Sequence, residues 1–223
     1  MPNRLFAIGD IHGCFDPLRE LVENQIHLAK TDTLVLLGDY IDRGPQSKAV
    51  VDYILGLQDA GHTVIPLMGN HEDMLLQALH SSRHLPLWLF NGGNKTLQSF
   101  GVRSPKNILP EYLEFFKNLK FWHGAEHYMF VHAGFNDDIA NPFEDEYAMI
   151  WKCRSSYSHP KLKDKTIVHG HCVITPQKMD KQITGNRQSI SVDTGCVYSE
   201  HADYGYLSAV ELHSKEVYRS KCG

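Results

Sequence analysis

The stretch TLVLLGDYIDRG, residues 33–44, sets a short apolar run directly before a group of charges. The apolar part, residues 33–37, ends at a glycine and predicts a buried strand. Asp39, Asp42 and Arg43 follow at the end of that strand. A charge is costly to bury unless it has a partner, so these three side chains need partners of their own.

Two other apolar runs end in polar clusters of the same kind. Residues 5–8 precede GDIHG (9–13), and residues 63–68 precede GNHE (69–72). Apolar residues at helical spacing predict helices over 16–27, 47–57 and 71–80. Strand and helix therefore alternate three times, which predicts an α/β fold with a parallel sheet and crossover helices. In such sheets, ligands bind outside the carboxyl ends of the strands.

The second half of the chain has a different pattern. Residues 81–107 are predicted to be rich in loops, because the turn signal NGGN lies at 91–94, and a further helix is predicted over 111–119. Short β-type runs follow, at YMFVHAG (128–134), TIVHGH (166–171), SISVDTG (189–195), YLSAVEL (206–212) and EVYRS (216–220). No linker, repeat or low-complexity segment separates the halves, so we predict one domain over residues 1–223 with two sheets.

Composition narrows the class of protein. The 223 residues are 42% hydrophobic and 22% charged, ordinary values for a globular chain, and the net charge of −4 gives no overall attraction to nucleic acid or anionic lipid. No run approaches the roughly 18 apolar residues of a membrane span, and the N-terminus lacks the apolar core of a secretory signal. The five scattered cysteines argue against a disulfide framework. We therefore expect a cytoplasmic protein without membrane or nucleic-acid partners.

The polar residues at the predicted strand ends are a set of metal donors. They offer oxygen and imidazole ligands without thiolates, which suits Mn, Fe or Zn. The set comprises Asp10, His12, Asp39, Asp42, Asn70, His71, His132 and His169. Ligands from several strand ends suit a two-metal site, in which one carboxylate bridges ions about 3.5–4 Å apart.

Five motifs in this order resemble the phosphoprotein phosphatase family of metallophosphoesterases. They are GDIHG (9–13), GDYIDRG (38–44), GNHE (69–72), VHAG (131–134) and VHGH (168–171). The compact chain and the DTGCVY segment (193–198) are similar to the bacterial and bacteriophage-lambda-type serine/threonine phosphatases. The resemblance runs from about residue 9 to residue 197. It implies a calcineurin-like domain that is a four-layer α/β/β/α sandwich, with two central mixed sheets flanked by helices.

The resemblance also implies two divalent metal ions, with Mn²⁺ favoured over Fe or Zn. The first ion would be held by Asp10, His12 and Asp39. The second would be held by Asp39, Asn70, His132 and His169, so that Asp39 bridges the pair.

The same resemblance implies the roles of four further residues. His71 would be the general acid that protonates the leaving alkoxide, and Asp42 would orient it. Arg43 would bind the phosphate oxygens, with Arg154 as the second phosphate-binding arginine. Hydrolysis would be direct, by a water activated between the two metals.

Four further polar residues lie in or near these motifs. Glu72 is expected in the first turn of a helix, supporting the site through hydrogen bonds. The roles of His171, Asp193 and His201 are left open.

The substrate is not decided by these motifs, because specificity resides in loops. The leading hypothesis is a serine/threonine protein phosphatase that acts on phosphoproteins or phosphopeptides, favoured by the DTGCVY segment and the short length. The alternative enzyme is a symmetrical bis(5'-nucleosyl)-tetraphosphatase, which cleaves diadenosine tetraphosphate. A non-catalytic scaffold with the same fold is disfavoured, because it predicts missing ligands and all expected ligands are present.

Overall fold

A computed structural model describes residues 3–222, which form nine strands and a larger number of helical segments. The strands are β1 (Leu5–Ile8), β2 (Thr33–Leu36), β3 (Thr63–Pro66), β4 (Trp122–Ala125), β5 (Tyr128–Val131), β6 (Thr166–His169), β7 (Ser189–Ser191), β8 (Tyr206–Glu211) and β9 (Val217–Lys221). The α-helices are α1 (Phe15–Arg19), α2 (Ser47–Asp59), α3 (Asn70–His80), α4 (Leu85–Trp88), α5 (Asn94–Ser99), α6 (Pro110–Lys117), α7 (Glu146–Trp151) and α8 (Pro176–Thr184). Two π-helical segments, Glu20–Gln25 and Leu89–Gly93, continue α1 and α4, and a short 3₁₀ helix spans Pro105–Asn107.

The strands form two mixed sheets. The first has the order β3-β2-β1-β8-β9, with β1, β2 and β3 parallel and β8 antiparallel to β1. The second has the order β4-β5-β6-β7, with β5, β6 and β7 parallel and β4 antiparallel to β5. Two mixed sheets flanked by helices confirm the predicted fold class.

The two parallel regions are buried on both faces. Successive side chains of a strand point to opposite faces. Ala7 and Val35 accordingly pack with Phe130 and Val168 of the other sheet, in a core between the two sheets. Phe6 points to the opposite face and packs in a separate core that includes residues of the helices. Burial on both faces explains why these strands read as continuous apolar runs rather than as an alternating pattern.

The packing of the sheets brings the ends of several strands together. The backbone N–H of Gly170, after β6, donates to the carbonyl of His132, after β5. A Cβ atom on Gly38, after β2, would come within 2.8 Å of both the Gly69 backbone and His132 Nδ1. Only glycine allows this close approach, so the polar segments that follow strands of both sheets meet at one place.

The predicted elements are largely present, with two departures besides the strand β4, which the sequence did not predict. The predicted strands and the helices over 16–27, 47–57, 71–80 and 111–119 correspond to observed elements, although the first helix continues as a π-helical turn. Residues 81–107 are mostly helical rather than loop-rich. Gly92, with φ of 106°, kinks the chain between two helical segments. The turn predicted at NGGN is therefore present, but the helices on either side of it were not predicted.

The second departure is that α7 and α8 lie among the strands of the second half. Both helices are short, and a side chain caps each N-terminus: Asp145 accepts from Ala148 N, and Thr175 accepts from Lys178 N. Caps of this kind stabilise helices too short to show a clear apolar period.

Two expectations from composition can be compared with the structure. None of the helices formed by residues 3–222 has the length and apolarity needed to cross a bilayer. Cys153 and Cys172 are joined in a disulfide, their Cα atoms 6.2 Å apart. The cysteine spacing, which argued against a disulfide framework, did not anticipate this pair, because the fold joins positions 19 residues apart. That the chain is one domain, and that it is cytoplasmic, stay predictions.

Candidate metal centre and active site

The carboxylate of Asp39, directly after β2, lies among three buried imidazoles. Its Oδ2 atom is 3.4 Å from His12 Nε2 and 3.9 Å from His71 Nε2, and its Oδ1 atom is 3.5 Å from His132 Nε2. Burial opposes the charge of Asp39, but the neighbouring imidazoles of His132, His71 and His12 hold its pKa well below the usual value. The two oxygens thus face different histidines, as expected of a carboxylate that bridges two ions.

Backbone carbonyls set which nitrogen of each histidine faces this carboxylate. The Nδ1 atom of His12 is 3.0 Å from the Ile41 carbonyl, and Nδ1 of His132 is 2.7 Å from the Leu37 carbonyl. A carbonyl can only accept, so each Nδ1 carries a proton and each Nε2 keeps a lone pair while the ring is neutral. Burial lowers the pKa of both histidines, which favours the neutral ring. Metal-bound histidines in proteins are commonly held in this way.

The donor atoms around His132 fit a cation. Its Nε2 lone pair is 2.9 Å from Asn70 Oδ1 and 3.5 Å from Asp39 Oδ1. All three atoms are acceptors in this arrangement, and a bound cation would satisfy them together. Carboxylate, amide and imidazole donors without sulfur suit Mn, Fe or Zn.

Asp10, after β1, places a second buried carboxyl group near Asp39. Its oxygens accept the backbone N–H of His171 at 3.0 and 3.2 Å. Burial, followed by the charges of Asp193 and Asp39, raises the pKa of Asp10, and burial raises the pKa of Asp193 to about 7. Three carboxyl groups thus share one buried region, in which a divalent cation would offset the charge.

His71 and Asp42 form a buried pair. Asp42 Oδ2 lies 2.7 Å from His71 Nδ1 and accepts from Trp88 Nε1 at 2.9 Å, and its Oδ1 accepts from Thr96 Oγ1 at 2.6 Å. His71 Nε2 is buried and has no hydrogen-bond partner among the described residues. The ring is therefore oriented by Asp42, and its second nitrogen is available to a ligand.

Sequence reasoning did not connect Trp88 or Thr96 with Asp42. Both lie between residues 81 and 107, which were predicted to be loop-rich, and no sequence signal pairs them with Asp42.

Glu72 holds the segment that carries Asp39 in place. It is fully buried in the first turn of α3. Its carboxylate accepts the backbone N–H groups of Asp39, Tyr40, Ile41 and Gly69. The expected supporting position of Glu72 is thus the one observed.

The end of β6 departs from the prediction. His171, rather than His169, brings a ring nitrogen close to Asp39 and His132, with the three donor atoms within 4.8 Å of one another. His169 ends β6, and its Nδ1 contacts the Gly170 carbonyl at 2.9 Å. The chain turns after the strand, with φ of 57° at His171, and this turn directs the later histidine toward the centre.

The two predicted phosphate-binding arginines occupy different places. Arg43 Nη1 lies 2.8 Å from His12 Nε2, so its guanidinium faces the centre. Arg154 instead donates to Asp138 at 3.2 Å and pairs with Asp137 at 3.8 Å. Arg154 therefore lies outside the group of residues around Asp39.

The calcineurin-like phosphoesterase family matches residues 4–203, nearly the whole chain. The chain belongs to this family. Phosphoesterases of this family use divalent metals, and the carboxylates and imidazoles around Asp39 are groups that could hold them.

Curated relatives of this phosphoesterase carry two different names. A symmetrical bis(5'-nucleosyl)-tetraphosphatase of Dechloromonas aromatica is 35% identical over 129 residues, 58% of this chain and 43% of its own. Serine/threonine-protein phosphatase 1 of Salmonella typhimurium is 40% identical over 92 residues, 41% of this chain and 40% of its own. The chain thus spans less than half the length of the curated relatives it matches.

Solved structures support the fold of the phosphoesterase. A protein serine/threonine phosphatase from Saccharomyces cerevisiae superposes with a TM-score of 0.71 at 15% identity, covering 99% of this chain and 80% of that one. A candidate diadenosine tetraphosphatase superposes with a TM-score of 0.67 at 21% identity, covering 100% and 96%. At such identities the likeness establishes the fold and leaves the substrate open.

The backbone of the phosphoesterase is strained where these residues meet. A positive φ is uncommon for any residue other than glycine, and it persists only where the surroundings impose it. Five residues at the centre have this conformation: His12 (46°), Asp39 (53°), Asp42 (70°), Arg43 (65°) and His171 (57°). Strain concentrated on polar residues at strand ends is typical of a functional site.

Proposed function

We propose that this phosphoesterase is a metal-dependent phosphomonoesterase that acts on phosphoserine and phosphothreonine in proteins. The buried pair of His71 and Asp42, at 2.7 Å, carries the proposal. A serine or threonine alkoxide is a poor leaving group and needs a proton, which an oriented acid can supply.

The residues around Asp39 would hold two divalent cations, most favourably Mn²⁺, with Fe or Zn as alternatives. Asp10, His12 and Asp39 would bind the first cation, and Asp39, Asn70 and His132 the second, with His171 replacing His169 as the further donor. When bound, the cations would supply an activated water and polarise the phosphate.

The protein's own groups would then position the phosphate and move the proton. His71 Nε2, which has no partner among residues 3–222, would donate to the leaving oxygen. The Asp42 carboxylate would hold the Nδ1 proton and stabilise the charged ring. Arg43, facing the same centre, would bind the equatorial phosphate oxygens. Arg154 would need to leave Asp138 to take part as the second phosphate-binding arginine.

A second candidate is the symmetrical dinucleoside tetraphosphatase, favoured by the longer curated alignment. Its leaving group is a nucleotide phosphate, which needs little protonation. The two candidates therefore differ in how much they depend on His71.

The deciding experiment compares kcat/KM for a phosphoserine peptide and for diadenosine tetraphosphate, both with Mn²⁺. We expect the peptide to be the better substrate. A large preference for the nucleotide would replace the first candidate by the second. If neither compound nor p-nitrophenyl phosphate is hydrolysed, the non-catalytic scaffold becomes the better interpretation.

The remaining parts of the proposal rest on sequence alone. They are phosphoprotein or phosphopeptide partners, no nucleic-acid or membrane partner, and a cytoplasmic location.

A further inference from the structure

Three cysteines far apart in the chain meet in the fold. Cys14 lies just before α1, Cys196 follows β7, and Cys222 follows β9. Their Sγ atoms all lie within 4.8 Å of one another, and those of Cys14 and Cys222 are 2.7 Å apart. We propose that these three thiols form a second metal site, for a thiophilic cation such as Zn²⁺, separate from the centre around Asp39.

The chemistry of this site is opposite to that of the phosphoesterase centre. Three thiolates select soft or borderline cations such as Zn²⁺, Cd²⁺ or Cu⁺, whereas the carboxylate and imidazole donors around Asp39 suit harder ions. The two sites share no donor atom. A cation that discriminates between sulfur and oxygen therefore also discriminates between the sites.

The spacing of the thiols needs only a small adjustment. A zinc–sulfur bond is about 2.3 Å, which places two sulfur atoms of a tetrahedral site roughly 3.8 Å apart. Cys14 and Cys222 must therefore separate by roughly 1 Å from the distance observed. Cys222 is only half-buried, so its side chain has room to move.

A route for the cation and room for a fourth ligand are present. A cavity of about 630 Å³ opens beside the thiols, and Cys14 and Cys222 form part of its wall together with Asp16, Arg19, Gln46 and Lys221. An entry path and a place for water or a carboxylate complete the requirements of a tetrahedral site with three protein ligands.

The proposed thiol site lies between two segments that are far apart in the chain. Cys14 lies two residues after His12, and Cys222 lies near the end of the chain. A bound cation would therefore join the segment after β9 to the turn that carries His12.

The test is a Cd²⁺ titration of the reduced protein. Binding is monitored through the thiolate-to-metal charge-transfer absorption, which only sulfur ligands produce. The background is the double variant Cys153→Ser/Cys172→Ser, which removes the other two thiols. We expect one equivalent of Cd²⁺ to give the full band, and Cys222→Ser or Cys196→Ser in the same background to lose it. No band, or a band that survives both substitutions, would overturn the proposal.

A second measurement does not depend on variants that must fold. In the wild-type protein, Cd²⁺ should slow the alkylation of all three cysteines by iodoacetamide, measured as peptide masses. Unchanged alkylation of Cys222 would contradict the site. A Cys14–Cys222 disulfide that forms in air and is unaffected by prior Cd²⁺ loading would show that the thiols pair with each other and not with a cation.

Discussion

Three of the histidines around Asp39 are held by the ring nitrogen that faces away from it. His12 and His132 contact backbone carbonyls through Nδ1, and His71 contacts Asp42 through the same atom. The partner decides what the ring can do, because a carbonyl leaves a neutral ring with a bare Nε2, whereas a carboxylate stabilises a charged ring. Residues of one type at one site would thus suit the two proposed tasks, metal binding and proton donation.

Replacing the proposed acid should affect substrates according to their leaving groups. We expect His71→Asn to lower kcat on a phosphoserine peptide by about 10²–10⁴-fold, the usual contribution of a general acid. The loss on p-nitrophenyl phosphate should be much smaller, because the nitrophenolate leaves without a proton. Steady-state kinetics on both substrates measure the difference, with His80→Asn, an exposed histidine of the same helix, as the control. Equal losses on the two substrates would argue against an acid role.

The two histidines at the end of β6 offer a matched comparison. His171→Asn should raise the half-activating Mn²⁺ concentration by more than about tenfold, since even residues that only support a ligand have effects of this size. His169→Asn should raise it less, because His169 lies outside the group of donors around Asp39. Mn²⁺ activation curves measure both, and thermal melts check that each variant is folded. A larger effect of His169→Asn would restore the ligand set expected from the motifs.

At the scale of elements, the helical segment after α3 contacts the pair of His71 and Asp42 from outside the motifs. Trp88, at the end of α4, is fully buried and donates to Asp42. Gly93 packs under its indole ring, because a Cβ at that position would lie 2.5 Å from the ring atoms. The Gly92 carbonyl accepts the backbone N–H of Arg43 at 3.4 Å. This segment therefore supports both the acid and the proposed phosphate-binding arginine.

Alanine substitutions at two glycines can separate the cost of a strained backbone from the effect of a displaced Arg43. Gly92 and Gly101 both have positive φ, 106° and 67°, so alanine at either position costs roughly 1–2 kcal/mol. A Cβ on Gly92 would also lie 2.6 Å from Arg43 N, whereas a Cβ on Gly101 would meet no atom within 4 Å. We expect both Gly→Ala variants to lose stability in urea unfolding, but only Gly92→Ala to raise KM for phosphorylated substrates. An equal KM in the two variants would show that the segment does not position Arg43.

The elements that were predictable and those that were not differ in how their residues interact. The buried strands of both sheets and α2, α3 and α6 have apolar patterns that are visible locally, so they could be predicted. The helices between residues 85 and 99 depend on burial of Trp88 and on the kink at Gly92, which are tertiary features. The position of the His171 ring beside Asp39 and His132 depends on the turn after β6, which no motif specifies.

At the scale of the whole molecule, the proposed metal centre joins the two sheets. Asp10 and Asp39 follow strands of the first sheet, whereas His132 and His171 follow strands of the second. These donors are separated in the chain by up to 161 residues, the interval between Asp10 and His171. The sequence order of the motifs could predict that such residues converge, because parallel strands present their carboxyl ends at one edge. The order of the motifs could not predict that the thiols of Cys14, Cys196 and Cys222 meet, because these cysteines belong to no common motif.

A cation held by both sheets should stabilise the whole fold, because unfolding would destroy its site. At a free Mn²⁺ concentration 100 times the dissociation constant, binding adds about 2.7 kcal/mol to the free energy of unfolding. For a chain of this size that corresponds to a rise in Tm of roughly 5–10 °C. Differential scanning calorimetry with chelator and with excess Mn²⁺ measures the shift, and Cys222→Ser as the background removes the proposed thiol site. Asp39→Asn should abolish most of the rise, since it alters the carboxylate that faces donors of both sheets. If Asp39→Asn shows the same rise as its background, Mn²⁺ binds elsewhere and the bridging position of Asp39 has no role in holding the sheets together.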